Sequence, residues 1–323
     1  MSEFRQYQVV ANGIHQHVME AGSGPAVLLC HGFPELAHSW RHQIRALADT
    51  GYRAIAPDMR GYGRTDAPPQ PDRYTIFHLV GDMVGLLDAL EVRQADIVGH
   101  DWGAPVAWTA AQMRPDVFTS VTGMCVPFAP RGPASSLEAT RRAGRHAFYQ
   151  LYFQQPGVAE RDFNADIGAT VRRMMWTLSA GPEAPWSGMI GTGGALDALS
   201  EPTGPMHWLG TEDLAVYAAA FAASGFTGAL NWYRNIDRNW ELTAPFQHCA
   251  IRQPAWFITG ERDPIYPLVK PLVDALPRTV PGHLGTTIVP GAGHWVQQEA
   301  AHAVNRVLLD FLRQAHVLQP SLQ

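Results

Sequence analysis

The chain has 323 residues, enough for one large core or for a core with a smaller second lobe. With 46% hydrophobic and 16% charged residues the composition is that of a folded globular protein, which excludes a disordered one. A net charge of −5 without a long basic run leaves no footprint for nucleic acid or an anionic membrane surface, so a small neutral partner fits better. The opening residues, MSEFRQYQVVANG, hold no basic region followed by an apolar stretch. No uncharged hydrophobic run reaches the ~18 residues of a membrane span, so a soluble cytoplasmic protein is expected. Residues 8–10 and 14–20, split by Asn12-Gly13, read as a hairpin, and residues 26–30 as a buried strand. A helix follows at 40–47, then a strand at 53–56, an amphipathic helix at 76–90, a strand at 95–98, a helix at 104–113 and a strand at 121–125. Such alternation predicts an α/β fold, a mostly parallel sheet flanked by helices.

After Pro127 the pattern changes. Pro130, Pro133 and Pro156 break it, and aromatic residues, Met and Arg become dense without strand–helix alternation. Alternation resumes with a strand at 255–259, a helix at 268–276, a strand at 286–289 and a last helix at 296–313, with a loose tail expected after Ala315. Residues 1–130 and 243–323 are therefore expected to form the core, and 131–242 an inserted, mainly helical cap. Cys30, Cys125 and Cys249 are widely spaced, an odd set with no CxxC, and read as small buried side chains rather than disulfide partners or metal ligands.

Chemistry concentrates at four loops that each follow a predicted strand. Gly99-His100-Asp101-Trp102-Gly103 lies between a strand and a helix, where the α/β-hydrolase fold sets a nucleophile on a tight turn in a G-x-S-x-G pattern; here the central residue is Asp101. Alone, an Asp opening a helix is more often a plain N-cap. His31-Gly32-Phe33-Pro34 follows the strand at 26–30, in the position that supplies half of an oxyanion hole, and the expected donors are the backbone amides of Phe33 and Trp102. Asp263, in Gly260-Glu261-Arg262-Asp263-Pro264, and His294, in Gly291-Ala292-Gly293-His294-Trp295, complete the chain order nucleophile, acid, base. Each member is ordinary by itself; together they make a catalytic triad the expectation. His100 is expected to point inward and His31 to hold loop backbone, while Glu261 and Asp58 read as structural charges.

A carboxylate is suited to displacement at sp³ carbon and forms an alkyl ester, which water activated by His294 and Asp263 can then hydrolyse. No metal and no cofactor is required. Two leaving groups fit, a halide and an epoxide oxygen, and only the second needs a proton donor. The segments FYQLYF at 148–153 and NWYRN at 231–235 offer tyrosines, but the chemistry alone does not choose among them, and packing is the commoner use of such residues. Met174, Met175 and Trp176 fit an apolar pocket or plain core.

HGFPE with SWRHQ, PDMRGYGRTDAP, GHDWGAPVAW, YQLYFQQPGVAE, LNWYRN, GERD and GAGHW span nearly the whole chain and occur in the order found in the soluble epoxide hydrolases of the α/β-hydrolase superfamily, which this sequence resembles. The resemblance implies that Asp101 is the alkylated nucleophile, Asp263 and His294 the orienting pair, and Phe33 and Trp102 the oxyanion donors. It further implies that Tyr149 and Tyr233 are the ring-opening acids that meet a small apolar epoxide, leaving Tyr152, Tyr217 and Tyr266 to packing. Members often pair into homodimers. The stretch from Gly188 to Gly194 has no clear counterpart, so the pocket roof is not read. Rival readings are a haloalkane or haloacid dehalogenase, whose haloacid members place Arg where this chain has Trp102, and a non-catalytic ligand receptor on the same fold.

Overall fold

The computed structural model describes residues 4–318. Eight strands, β1 (Arg5–Ala11), β2 (Ile14–Gly22), β3 (Ala26–Cys30), β4 (Arg53–Pro57), β5 (Ala95–His100), β6 (Phe118–Met124), β7 (Ala255–Gly260) and β8 (His283–Val289), form one sheet in the order β1-β2-β4-β3-β5-β6-β7-β8. The first hairpin turns at Asn12 and Gly13, whose φ values of 50° and 75° match the two left-handed positions of a tight hairpin turn. β2 pairs antiparallel with β1 and β4, and every later pairing is parallel.

The inner parallel strands β3, β4 and β5 are buried on both faces, which explains why they read as largely apolar runs, whereas the edge strand β8 alternates with solvent. Along β3, Val27 and Leu29 join the layer formed by α1 (Arg41–Asp49) and α13 (Ala301–Leu318), whereas Leu28 and Cys30 face α2 (Ile76–Ala89) and α3 (Gly103–Met113). Between β6 and β7 the chain adds α4 (Ser136–Arg142), α5 (Tyr149–Tyr152), α6 (Val158–Ala165), α7 (Ile167–Leu178), α8 (Thr211–Ser224), α9 (Thr227–Arg234) and α10 (Ile236–Leu242); α11 (Tyr266–Thr279) and α12 (Val296–Glu299) belong to the second part of the core. This helical layer docks through polar contacts: Tyr217 Oη lies 2.7 Å from Ser39 Oγ, and the Trp232 indole donates to the Arg60 carbonyl at 3.0 Å. No single helix among the described residues is long and apolar enough to cross a membrane; the apolar pair α8 and α9 is bent by 80° and buries Tyr217, Phe221, Leu230 and Trp232.

Several boundaries differ from the expected ones. β5 runs on through Gly99 and His100, so Asp101 follows the strand with no intervening loop. β6 starts at Phe118, because Phe118 and Ser120 are buried in the sheet although Thr119 and Ser120 look turn-like in sequence, and it ends before Cys125, whose φ of 63° is incompatible with a strand. The helix expected at 296–313 is two helices broken at Ala300, and the second continues to Leu318 because Ala315 is buried. The last five residues lie outside the described ones.

One buried ion pair ties these layers together. Arg60, in the loop after β4, meets Asp82 of α2 with two bonds of 2.5 and 2.7 Å, and Asn12 of the hairpin donates to the same carboxylate at 2.8 Å. Both side chains are almost fully buried, so removing one leaves a desolvated charge. Asp82→Ala is expected to lower unfolding free energy by about 3 to 5 kcal/mol in urea titration; a loss below about 1 kcal/mol would show that Arg60 finds water instead.

Candidate active site

Strand order reverses around β3, which lies between β4 and β5, and such a switch point opens a crevice at the carboxyl ends of the strands. Cys30 of β3 stands beside Gly99 of β5, so the two loops leaving these strands emerge side by side. One carries Gly32 and Phe33, the other Asp101 and Trp102. Asp101 sits at φ 49°, an uncommon conformation for a residue with a side chain, between the end of β5 and the start of α3. The turn closes because Gly103 has no Cβ: one built there would stand 2.0 Å from the Cys30 carbonyl oxygen. Gly32 is equally constrained, since its Cβ would fall 2.4 Å from Asp101 Oδ1 and 2.7 Å from the Trp102 nitrogen. The same Asp101 Oδ1 accepts from Phe33 N–H at 2.7 Å, and the Trp102 amide flanks Gly32 on this turn.

On the other side of the crevice, β7 and β8 are neighbours, with Gly260 beside Val289. The loops beyond them bring Asp263 to His294, whose Nδ1 is 3.1 Å from both carboxylate oxygens, and the Ile265 amide holds Oδ1 of Asp263 at 2.8 Å. His294 Nε2 faces Asp101 Oδ2 at 3.6 Å, a charge contact longer than a hydrogen bond. Asp263 and His294 are buried, whereas the Asp101 side chain keeps 18% of its surface exposed. Burial alone would raise the Asp101 carboxyl, but the adjacent His294, with His100 and the Phe33 amide behind it, holds it below its ordinary value of 3.8. Burial would likewise lower His294, yet the Asp263 carboxylate, with Asp101, carries it well above 6.5. An imidazolium between two carboxylates results.

Behind this set lies a second buried pair. His100 Nδ1 is 2.7 Å from Glu35 Oε2, and its Nε2 donates to the His294 carbonyl at 2.8 Å. Burial opposes a charged His100, but the Glu35 carboxylate overcomes it and lifts the imidazole to about 10. Glu35 also accepts from the side chains of Gln297 and Gln298 at 2.8 and 2.9 Å, and Cys125 Sγ approaches the His294 carbonyl at 3.1 Å. With both nitrogens of His100 donating, the trio His100, Cys125 and His294 is committed to hydrogen bonds, although its ligand atoms lie within 4.8 Å of one another. As expected, His100 points inward, and His31 holds backbone through its own Gly32 carbonyl and the Met59 amide. Asp58 accepts from the Ala37 and Arg64 amides, and Glu261 from that of Gly291.

Tyr149 opens α5 and Tyr233 lies in α9, yet their rings come within 5.9 Å and both line the cavities that contain Asp101. Tyr233 is wedged edge-on against Phe33, Trp102 and Phe153, at 5.6, 5.1 and 5.0 Å between centroids. Burial, reinforced by the Asp101 charge, pushes Tyr149 up to about 12 and Tyr233 well above its ordinary value, so both phenols keep their protons at neutral pH. Tyr152 instead donates to Asp162, Tyr217 is bonded to Ser39, and Tyr266 starts α11 without lining either cavity. A cavity of about 730 Å³ extends from Asp101 toward Arg131 and Trp240, and a recess of about 50 Å³ lies on the other side, against Phe163, Met174 and Leu199. Met174 therefore faces the site, while Met175 is core.

Three contributions escape the motif reading. Glu35 follows HGFP directly and could have been found by asking what balances a buried His100. Gln297 and Gln298 carry no motif and become visible only when the loop after β8 folds back. Ile190 comes from the stretch Gly188 to Gly194 left without a counterpart, and Trp186 stands just before it: the Gly188 carbonyl accepts from the Tyr149 amide at 2.8 Å, Ile190 lines the recess and Trp186 lies 5.0 Å from the Tyr149 ring.

Residues 25–301 match the family model described as alpha/beta hydrolase fold. The chain is similar to epoxide hydrolase A of Mycobacterium tuberculosis, 44% identical over 94% of this chain and 96% of that protein, and to epoxide hydrolase 1 of Siraitia grosvenorii, 44% identical over 97% and 100%. Among solved structures it is similar to an epoxide hydrolase from an endophytic Streptomyces, with a TM-score of 0.92 and 42% identity over 96% of this chain and 95% of that one. Sequence, sheet order and these likenesses agree, and the chain belongs to the epoxide hydrolases of the α/β-hydrolase fold family.

Proposed function

We propose that this protein converts epoxides to vicinal diols through an alkyl ester on Asp101, with residues 131–242 acting as a cap that supplies the acid. The observation that carries the reading is the opposition, in one cavity, of an ionised Asp101 and two protonated phenols, Tyr149 and Tyr233. Oδ1 of Asp101 rests on the Phe33 amide, so Oδ2 is the oxygen free to attack an epoxide carbon. As the C–O bond of the ring breaks, a tyrosine hydroxyl transfers its proton to the departing oxygen. A halide would need no such proton, which favours the epoxide over the dehalogenase reading.

Alkylation removes one of the two negative charges that hold the proton on His294. Its affinity for that proton falls, and the proton returns by way of water to the tyrosinate, leaving a neutral imidazole oriented by Asp263. Neutral His294 takes a proton from water, whose oxygen bonds to the ester carbonyl carbon; negative charge gathers on Oδ1, where the Phe33 and Trp102 amides are worth about 3 kcal/mol per donor. When the acyl carbon–Oδ2 bond breaks, the remaining proton of the water-derived hydroxyl passes to Oδ2, which leaves as a hydroxyl of the diol, and the water oxygen stays in the Asp101 carboxylate beside protonated His294.

The acid role is tested by substitution. Tyr149→Phe or Tyr233→Phe alone is expected to slow ester formation by about 10²-fold or more, and the double variant to abolish it in rapid-quench mass spectrometry; unchanged alkylation in the double variant would refute the assignment. His294→Gln, by contrast, is expected to accumulate the ester as one epoxide mass added to the peptide that holds Asp101.

A pH signature follows from the charges alone. A proton held above the ordinary histidine value of 6.5 contributes stability that is complete below that pH and is lost as pH rises through the elevated value of His294. Asp101, held below 3.8, loses its contribution only on the acid side, as pH falls through its lowered value. In urea titrations the stability gap between the wild type and His294→Gln should be largest near pH 6 and shrink with added base; a gap that widens with pH would contradict the ion triad.

A further inference from the structure

His294 reaches the site on a loop, and its ring is bonded through Nδ1 to Asp263, so the placement of Nε2 depends on what holds the backbone beneath it. Three successive amides of that loop have partners outside β8. Gly293 N–H donates to Glu299 Oε2 at 3.1 Å, His294 N–H to the Leu178 carbonyl at 2.9 Å and Trp295 N–H to Glu299 Oε1 at 3.0 Å. Oε2 of the same carboxylate also accepts from the Ala180 amide at 2.9 Å, across 119 positions of the chain. Glu299 therefore bonds the residues on both sides of His294 and the segment that follows α7.

A local helix cap does not explain this arrangement. Trp295 precedes α12, and its amide is an ordinary partner for a carboxylate one turn on, but Gly293 and Ala180 lie outside that helix. The seam admits no side chain at Gly293: a Cβ there would stand 2.3 Å from the Ala180 nitrogen and 2.8 Å from Glu299 Oε1. The Trp295 indole fastens the same loop to α7 once more, donating to the Met175 carbonyl at 2.8 Å. Burial raises the Glu299 carboxyl above its ordinary value, and the amides of Ala180, Gly293 and Trp295 oppose that rise.

We propose that Glu299 is a positioning residue for His294: its carboxylate clamps the amides of Gly293 and Trp295 to that of Ala180 and so sets where the imidazole stands over Asp101. The consequence for turnover rests on the epoxide-hydrolase reading; the clamp does not. Under that reading Asp101 and the two tyrosines form the ester, and His294 acts as base only when water attacks it. Loss of the clamp therefore falls on the second step, where a displacement of about 1 Å can cost about 10²-fold in rate.

Two measurements separate the clamp from the reading. The first needs no substrate: the imidazole nitrogen shifts of His294 are read by NMR in protein labelled at histidine nitrogen and assigned with His294→Gln. In Glu299→Leu the Nδ1 shift should move toward that of an imidazole in water, and in Glu299→Gln, which keeps one acceptor oxygen and the side-chain volume, it should move part of the way. Unchanged shifts would overturn the clamp, and the glutamine variant carries the same test should the leucine variant not fold. The second measurement follows styrene oxide by rapid-quench mass spectrometry. Glu299→Leu should form the ester at nearly the wild-type rate and hydrolyse it about 10²-fold more slowly, so that ester accumulates, with Glu299→Gln between the two. A protein that is merely destabilised loses active fraction and changes neither rate constant. Equal slowing of both steps, or of neither, would overturn the positioning role. Displaced His294 shifts in a protein whose wild type forms no ester would leave the clamp standing and remove the epoxide reading.

Discussion

The structure depends on one strained turn. Asp101 is held in a left-handed conformation at the end of β5, and that conformation lifts its carboxylate out of the sheet toward the switch point beside β3. The strain is maintained by packing that admits no alternative, since α3 starts against the Cys30 carbonyl through Gly103 and the Phe33 loop starts against Asp101 through Gly32. A carboxylate presented in this way has one oxygen on a backbone amide and the other on the cavity, so its two ends differ chemically before substrate arrives.

A charged carboxylate such as that of Asp101 is costly in an apolar pocket unless its surroundings compensate it. Two alternating layers do so: Asp263, His294 and Asp101 make the inner one, Glu35 and His100 the outer one, and the His294 carbonyl joins them by accepting from His100. Glu35 extends the second layer to Gln297 and Gln298, so the loops after β3, β5 and β8 share one hydrogen-bonded frame. The frame accounts for positional accuracy as well as charge balance. Loops are ordinarily the more mobile parts of a fold, and these three are cross-linked to one another beneath the cavity floor.

Much of this was legible in the sequence, for physical reasons particular to each element. The inner strands β3 and β4 are short, apolar and buried on both faces, so residues 26–30 and 53–56 announce themselves, and the loop motifs follow because the fold demands glycine where helix and strand nearly touch. β6 was displaced by three residues because Thr119 and Ser120 lie in a strand that tolerates polar side chains, Ser120 bonding to Asp96. The pairing of Tyr149 with Tyr233 rested on resemblance, since eighty-four positions in the chain separate them and no periodicity links a one-turn helix to α9. The contributions of Trp186 and Ile190 were not legible at all: their segment is held by a pair of backbone hydrogen bonds, Tyr149 N–H to the Gly188 carbonyl and Ile190 N–H to the Ala147 carbonyl, which side-chain identities do not reveal. The helical layer between β6 and β7 is thus where sequence patterns inform least, although it supplies much of the pocket lining.

The claim on which everything else rests is that Asp101 becomes covalently bonded to the substrate, and the oxygen of the product reports on it directly. A single turnover with enzyme in excess, carried out in water enriched in the heavy oxygen isotope, separates the two possible routes of that atom. The account predicts an unlabelled diol in the first turnover and heavy oxygen in the Asp101 carboxylate recovered by peptide mass spectrometry. Heavy oxygen appearing at once in the diol, with Asp101 unlabelled, would mean that water attacks the epoxide itself and would contradict the account.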